Sequence, residues 1–285
     1  MKILVLGVTG MLGNAVFRVF SGDAEHDTWG TVRSNTALRN FSPQHQSHLL
    51  TGVDVLDQDA LVAVLAKVRP DVVINCVGLI KQLADAKDPL TALPINAMLP
   101  HRLARLCALS NARLIHISTD CVFSGGKGGY LESDISDAED LYGKSKYIGE
   151  LHDLPHAITL RTSIIGHELN SNHSLLDWFL SQEGTTRGFS RAIFSGLPTA
   201  ELARVMKDFV LPHPELNGLY HVSADPIAKL DLLTLIASQY GKSIEIRPDA
   251  ALVIDRSLNS ERFTQATGYK APTWPQLIEL MHATR

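Results

Sequence analysis

"KILVLGVTGMLGNAVFRVF", residues 2–20, decides the fold. Its first part, KILVLG (2–7), is a short apolar run of strand length, apolar on both faces. Its second part, GMLGNAVFRVF (10–20), repeats apolar residues at helical spacing. An early Lys before an apolar run also mimics a secretory signal. Here the run is short, broken by glycine, and continues past Arg18 with no small-residue cleavage site, so it reads as a buried first strand. No run of 18 apolar residues occurs, so no membrane span is expected and the chain reads as cytoplasmic.

The same alternation continues outward. DTWGTVR (27–33) reads as a second strand, and 34–50 as a polar loop with Pro43 and one short helix. GVDVLD (52–57) reads as a third strand. Asp57 then caps a helix whose apolar stripe is Leu61, Val64, Leu65 and Val68. DVVINCVG (71–78) is a fourth strand, 95–110 a helix, RLIHIS (113–118) a fifth strand, 142–153 a helix, and AITLRTS (157–163) a sixth strand. Such βαβ alternation predicts an α/β fold with a doubly wound parallel sheet. After Gly166 the rhythm changes. SLLDWFLSQEG (174–184) is an amphipathic helix with Leu175, Leu176 and Phe179 inward. A helix near 199–211, a strand GLYHVS (218–223) and helices near 227–241 and 274–284 follow. The 285 residues are long for one core and short for two. The expected division is a nucleotide-binding domain over 1–165 and a smaller lobe over 166–285, with elements near 195–225 returning to the sheet.

Composition narrows the function. A hydrophobic share of 45% supports a sizeable core without disulfide staples, and the net charge of −4 argues against a nucleic-acid partner. An anionic ligand must therefore be held by local groups. Cys76, Cys107 and Cys121 form no C-x-x-C pair and read as buried thiols of a reducing compartment. His45 with His48 and His152 with His156 have metal-like spacing, but no carboxylate or thiol cluster joins them and Pro155 interrupts the second pair, so no metal is expected. SGGKGG (124–129) lacks the G-K-[ST] ending of a phosphate loop and reads as a flexible loop over the cleft.

The turn Gly7-Val8-Thr9-Gly10-Met11-Leu12-Gly13 lies where a dinucleotide fingerprint belongs. Glycine lets the backbone approach a pyrophosphate, and the helix N-terminus offers free N–H groups and a positive dipole end. After the second strand stands Arg33, then Ser34, where an NAD site usually carries a carboxylate. A guanidinium there favours a 2′-phosphate, hence NADPH, with NADH the alternative. Asp54 and Val55 are expected beside the adenine, and Cys76, Val77 and Gly78 under the cofactor.

Tyr142 precedes Lys146 by one helical turn, on the same face. The fifth strand ends in Ser118-Thr119-Asp120, at the carboxyl edge where such sheets bind ligands. A free phenol has a pKa near ~10, and a neighbouring ammonium lowers it. Tyr142 is thus a candidate proton donor to a carbonyl oxygen, Thr119 a group that aims that oxygen, and Lys146 a partner of both the phenol and the nicotinamide ribose.

The G-x-x-G-x-x-G spacing resembles the extended branch of the short-chain dehydrogenase/reductase family. GVTGMLG, INCVG, INAMLP, ISTDCVF and YGKSKYIGE, in this order, resemble the dTDP-4-dehydrorhamnose reductases and related sugar-nucleotide reductases, strongly over 1–165 and more weakly beyond. The resemblance implies a Rossmann domain plus a small substrate-binding lobe. It implies Thr119, Tyr142 and Lys146 as the catalytic set, with the nucleotide sugar, dTDP- or UDP-linked, between the two parts. The implied reaction is NADPH-dependent reduction of a C4 keto group on a 4-keto-6-deoxy nucleotide sugar for surface polysaccharide precursors, by an enzyme able to form a homodimer. Asp120 and Cys121 would then line the sugar pocket. Cys121 replaces the aromatic residue common after S-T-D, which enlarges that pocket. No proline stands where relatives often carry one before Tyr142. Lys81 and Gln82, past the fourth strand, are expected to touch the sugar or a phosphate. Three rivals stand beside this reading: an epimerase, a 4,6-dehydratase (disfavoured because Cys121 stands where such enzymes carry an acid), and a non-catalytic NADP-binding module like the regulatory subunit of methionine adenosyltransferase.

Overall fold

A computed structural model describes residues 1–79, 87–169 and 172–285. Six strands follow the chain: β1 (Lys2–Leu6), β2 (Asp27–Thr31), β3 (Leu49–Leu50), β4 (Val72–Asn75), β5 (Arg113–Thr119) and β6 (Ala157–Thr162). With the later strand Gly218–His221 they form one seven-stranded parallel sheet. Its order is Gly218–His221, β6, β5, β4, β1, β2, β3. This is the doubly wound Rossmann arrangement, in which strand order reverses between β1 and β4.

Both faces of the sheet are covered, as the unbroken apolar strands require. Ile3 and Val5 of β1 point into one core with Phe17 and Phe20 of the first helix, Met11–Ser21. Leu4 and Leu6 point into the other with Leu61, Leu65, Leu99 and Leu103. Asp57 caps the helix Gln58–Val68, and Leu61, Val64, Leu65 and Val68 are its buried face.

Several boundaries differ from the sequence reading. The third strand is Leu49–Leu50, not 52–57. Gly52 has φ +74°, and the Asp54 carboxylate accepts the N–H of Leu56 at 2.9 Å, so the segment turns instead of extending. Two short helical pieces, Asn35–Asn40 and Pro43–Gln46, occupy the loop where one was expected. β4 stops at Asn75, whose side chain accepts the N–H of Val77 at 3.1 Å. The helix expected over 95–110 starts at Pro89 and widens into a π-type turn over Leu93–Met98 before continuing to Ser110. Pro100 cannot donate to the Asn96 carbonyl four residues back, and Gly149 packs directly on that carbonyl. The helix carrying Tyr142 is Leu141–Ile148, shorter than expected because Gly149 ends it.

Beyond Gly166, the helix Leu175–Ser181 buries Leu176 and Phe179 and leaves Leu175 half-buried. The helix Thr199–Val205 continues through a π-type turn to Val210 and packs on the first helix. Glu261–Thr267 is a helix that the sequence reading missed. Short strand pairs also build the lobe, among them Thr185–Phe189 alongside Glu245–Asp249.

The loop Ser124–Gly129 is pinned, contrary to expectation. The Asp255 N–H donates to the Gly125 carbonyl at 2.8 Å, the Gly129 N–H to Ser257 Oγ at 2.9 Å, and the Tyr130 N–H to the Ser257 carbonyl at 2.9 Å. The glycines let this segment lie flat on the lobe; they do not set it loose. Among the described residues no helix is long and apolar enough to cross a membrane.

Candidate active site

The first turn is built as a cradle. Gly7 has φ +81°, and a Cβ on Gly13 would land on the Gly7 carbonyl. The Gly7 N–H is held by Thr31 Oγ1 at 3.2 Å, and the Gly10 N–H by the Gly7 carbonyl at 3.0 Å. The first helix opens after Gly10, which offers no side-chain cap, and has no acidic residue in its first turn. Its first N–H groups and dipole end are thereby left to an anion, which fits a pyrophosphate. Thr9 and Met11 are half-buried at this turn. The Leu12 side chain belongs to the core, so it has only a backbone N–H to offer.

Arg33 and Ser34 are exposed just past β2. Ser34 Oγ accepts the Thr36 N–H at 3.2 Å and shares a 2.8 Å hydrogen bond with Thr36 Oγ1. Asp54 lies in the turn beside β2, where the Val53 N–H meets the Val32 carbonyl, and Val55 packs into the core. Across the switch point, Val77 touches the Gly7 turn, and Cys76 is half-buried with its thiol pushed up to about 12 by burial. Lys146 Nζ lies 3.8 Å from where a Gly78 Cβ would stand, so Gly78 joins the nucleotide cradle to the amine. Lys81 and Gln82 lie outside the described residues.

Asp140 caps the helix of Tyr142 by accepting the Gly143 N–H at 2.8 Å. A Cβ on Gly143 would strike the Cys121 carbonyl, so glycine presses this helix onto the end of β5. Tyr142 and Thr119 share a hydrogen bond. Thr119 Oγ1 donates to Asp120 Oδ1 at 3.1 Å and accepts the Cys121 N–H at 3.1 Å. Lys146 is 5% exposed and donates to the Ile117 carbonyl at 2.7 Å.

The phenol corrects an expectation. Burial, with the nearby Cys121, raises the Tyr142 pKa above its ordinary value, and the Thr119 hydrogen bond opposes this only in part. Lys146 does not acidify it. That amine is turned to the Ile117 carbonyl and is itself pushed down to about 8 by burial, against the pull of Glu150. Asp120 is buried and raised for the same reason, with Arg256 opposing.

Residues that sequence reasoning missed complete the site. Asn96 Oδ1 accepts the Leu79 N–H at 2.9 Å, and its amide donates to Ser145 Oγ at 3.2 Å, tying the loop after β4 to the helix of Tyr142. From the lobe come Arg256, whose Nε donates to the Phe123 carbonyl at 2.7 Å, and Lys229, drawn to Asp120. A cleft of about 480 Å³ opens here between Cys121, Gly125, Asp140, Leu252 and Arg256. Another concavity, about 590 Å³ against Arg187 and Arg247 on the lobe, contains none of these groups. Asn96 stands in INAMLP, a motif the sequence does display. Lys229 and Arg256 stand in no pattern and are identified by position alone. Among the described residues no three His, Cys, Asp or Glu side chains form a group that could hold a metal.

The profile of the family described as RmlD substrate binding domain matches residues 1–282. Methionine adenosyltransferase 2 subunit beta of Mus musculus is 26% identical over 98% of this chain and 89% of its own length. The probable low-salt glycan biosynthesis reductase Agl14 of Haloferax volcanii is 32% identical over 58% of this chain and 54% of its own. The crystal structure of dTDP-4-dehydrorhamnose reductase from Bacillus anthracis, in complex with NADP, superposes with a TM-score of 0.80 at 22% identity, covering 99% of each chain.

Proposed function

The chain belongs to the RmlD substrate binding domain family, and from that premise we propose that it is an NADPH-dependent reductase of the 4-keto group of a 4-keto-6-deoxy nucleotide sugar. The observation that carries the reading is the convergence of Thr119, Tyr142 and Lys146 at the carboxyl end of β5, beside a glycine cradle fit for a pyrophosphate.

NADPH, when bound, supplies the hydride to the keto carbon. Tyr142 supplies the proton to the keto oxygen. Its raised pKa keeps the phenol protonated at neutral pH, the form a reduction consumes. Thr119, already bonded to that phenol, aims the same oxygen. With NADPH bound, Lys146 would hold its ribose hydroxyls. Arg256, on the lobe side of the cleft, is placed to meet the diphosphate of the nucleotide, and Cys121 leaves room beside the sugar. The deciding measurement is NADPH oxidation with a panel of dTDP- and UDP-linked 4-keto-6-deoxy sugars. Turnover of at least one member is expected, and none with any of them rejects the reductase.

Arg33 sets the cofactor choice in this reading. Arg33→Glu is expected to weaken NADPH binding by about 10–100-fold, the worth of a charge-assisted contact, with NADH affinity kept or improved. Equal NADPH affinity in that variant, by fluorescence titration, removes Arg33 from the 2′-phosphate site.

A second reading rests on the match to methionine adenosyltransferase 2 subunit beta along 98% of this chain. There the fold serves as a partner-binding module, and the test is stable association with a methionine adenosyltransferase catalytic subunit without keto-sugar turnover.

A further inference from the structure

A polar row crosses one face of the sheet where apolar side chains are the rule. The register aligns Asn75 of β4, His116 of β5 and Thr159 of β6. Two positions earlier in each strand, Val73, Leu114 and Ala157 belong to the core on that same face. None of the three polar residues is more than 1% exposed. Buried polar groups need partners, and here each donor and acceptor can be followed. Thr159 has both of its own: the hydroxyl donates to the Leu151 carbonyl at 3.0 Å and accepts the Leu151 N–H at 3.0 Å. Asn75 Oδ1 accepts the Val77 N–H at 3.1 Å. The other end of that amide, Nδ2, meets His116 Nδ1 at 3.2 Å.

An amide nitrogen only donates, so His116 Nδ1 accepts and carries no proton. Burial, then Lys146 and His101, hold the ring well below the ordinary range, so it is neutral and has one proton to place. That proton sits on Nε2, a buried atom with no hydrogen-bond partner among the described residues. An unmatched buried N–H works against stability. The gain lies at Nδ1, because His116 decides which way the Asn75 amide faces. Turned over, the amide would set its NH₂ against the Val77 N–H, donor to donor. Val77 is where β4 meets the cradle. Its nitrogen lies 3.5 Å, and its Cγ2 2.9 Å, from where a Gly7 Cβ would stand. Contacts thus run from the ring, through one amide, to the turn that packs on the first glycine of the nucleotide site.

We propose that His116 is a positioning residue for the cofactor: held as the Nε2–H tautomer, it accepts the Asn75 amide at Nδ1, fixes the direction of that amide, and so seats the Cys76–Gly78 turn against Gly7. This rests on the reductase reading only for the identity of the cofactor as NADPH.

The test has two arms, both on the full chain. A long-range proton–nitrogen correlation spectrum of protein labelled in its histidine rings reads the tautomer, with the His116 signals assigned by their loss in a His116 variant. The Nε2–H form is expected. An Nδ1–H form overturns the proposal, because that nitrogen would then donate. The second arm is NADPH affinity by fluorescence titration. His116→Phe keeps a flat ring and removes the acceptor, and about tenfold weaker binding is expected. His116→Asn places its Oδ1 near the position of Nδ1 and is expected to bind within about threefold of wild type. His116→Gln reaches only the position of Nε2 and is expected to be as weak as the Phe variant. A space-filling role would rank the variants by volume instead, with Phe and Gln ahead of Asn. Should His116→Phe not fold, the order of Asn and Gln decides together with the tautomer. Phe within about twofold of wild type, or Asn no better than Gln, overturns the role of His116 and leaves the reductase standing. The expected tautomer and order without keto-sugar turnover in wild type do the reverse. No NADPH binding by wild type rejects both.

Discussion

Tyr142→Phe is expected to slow keto-sugar reduction by about 10²–10⁴-fold while leaving NADPH affinity within about twofold. The substitution removes one hydroxyl and little volume. The ring stays wedged beside Thr119, and the helix keeps its cap from Asp140. What disappears is the proton that the keto oxygen receives. The phenol's raised pKa keeps it protonated at neutral pH, so wild type carries the proton that the variant lacks. Thr119 can donate to the oxygen only by turning its hydroxyl away from Asp120, and an alcohol is too weak an acid to replace the phenol. Stopped-flow NADPH oxidation and a binding titration on the same preparation decide it. Turnover within tenfold of wild type would assign the proton to another group.

Arg161→Ala is expected to cost about 3–5 kcal/mol of stability, because it strands Glu150 as an unpaired buried charge. A chain of this size would then lose about 6–15 °C in melting temperature. Both partners are essentially inaccessible to water, with side-chain exposures of 1% and 0%, so solvent cannot replace the guanidinium. The Phe123 face and His221 lose a partner as well. Replacing both members of the pair together is expected to cost much less, since no uncompensated charge remains. Thermal unfolding followed by circular dichroism checks this. A single variant as stable as the double would mean that Glu150 finds water or another cation.

Much of the site was legible because its parts are periodic or contiguous. The strand-turn-helix at Gly7–Gly13 and the Tyr142–Lys146 spacing are local, and each carries its geometry in a few residues. Boundaries were less legible where a side chain bonds its own backbone. Asp54 and Asn75 end extended segments this way, and alternation of apolar residues gives no sign of it. The glycines at 125–129 suggested mobility, yet main-chain hydrogen bonds to Asp255 and Ser257 fix them, and those partners lie some 130 positions away in sequence.

The electrostatics divide along the same line. Residue spacing is enough to put a phenol and an amine on one helical face at the mouth of a doubly wound sheet, because a helix repeats every turn and a buried parallel strand must be apolar. Their charges depend on the packed chain. Desolvation and counter-ions come from whatever packs around them, so burial raises the Tyr142 phenol, and Lys229 and Arg256 reach the site from elements that no spacing connects.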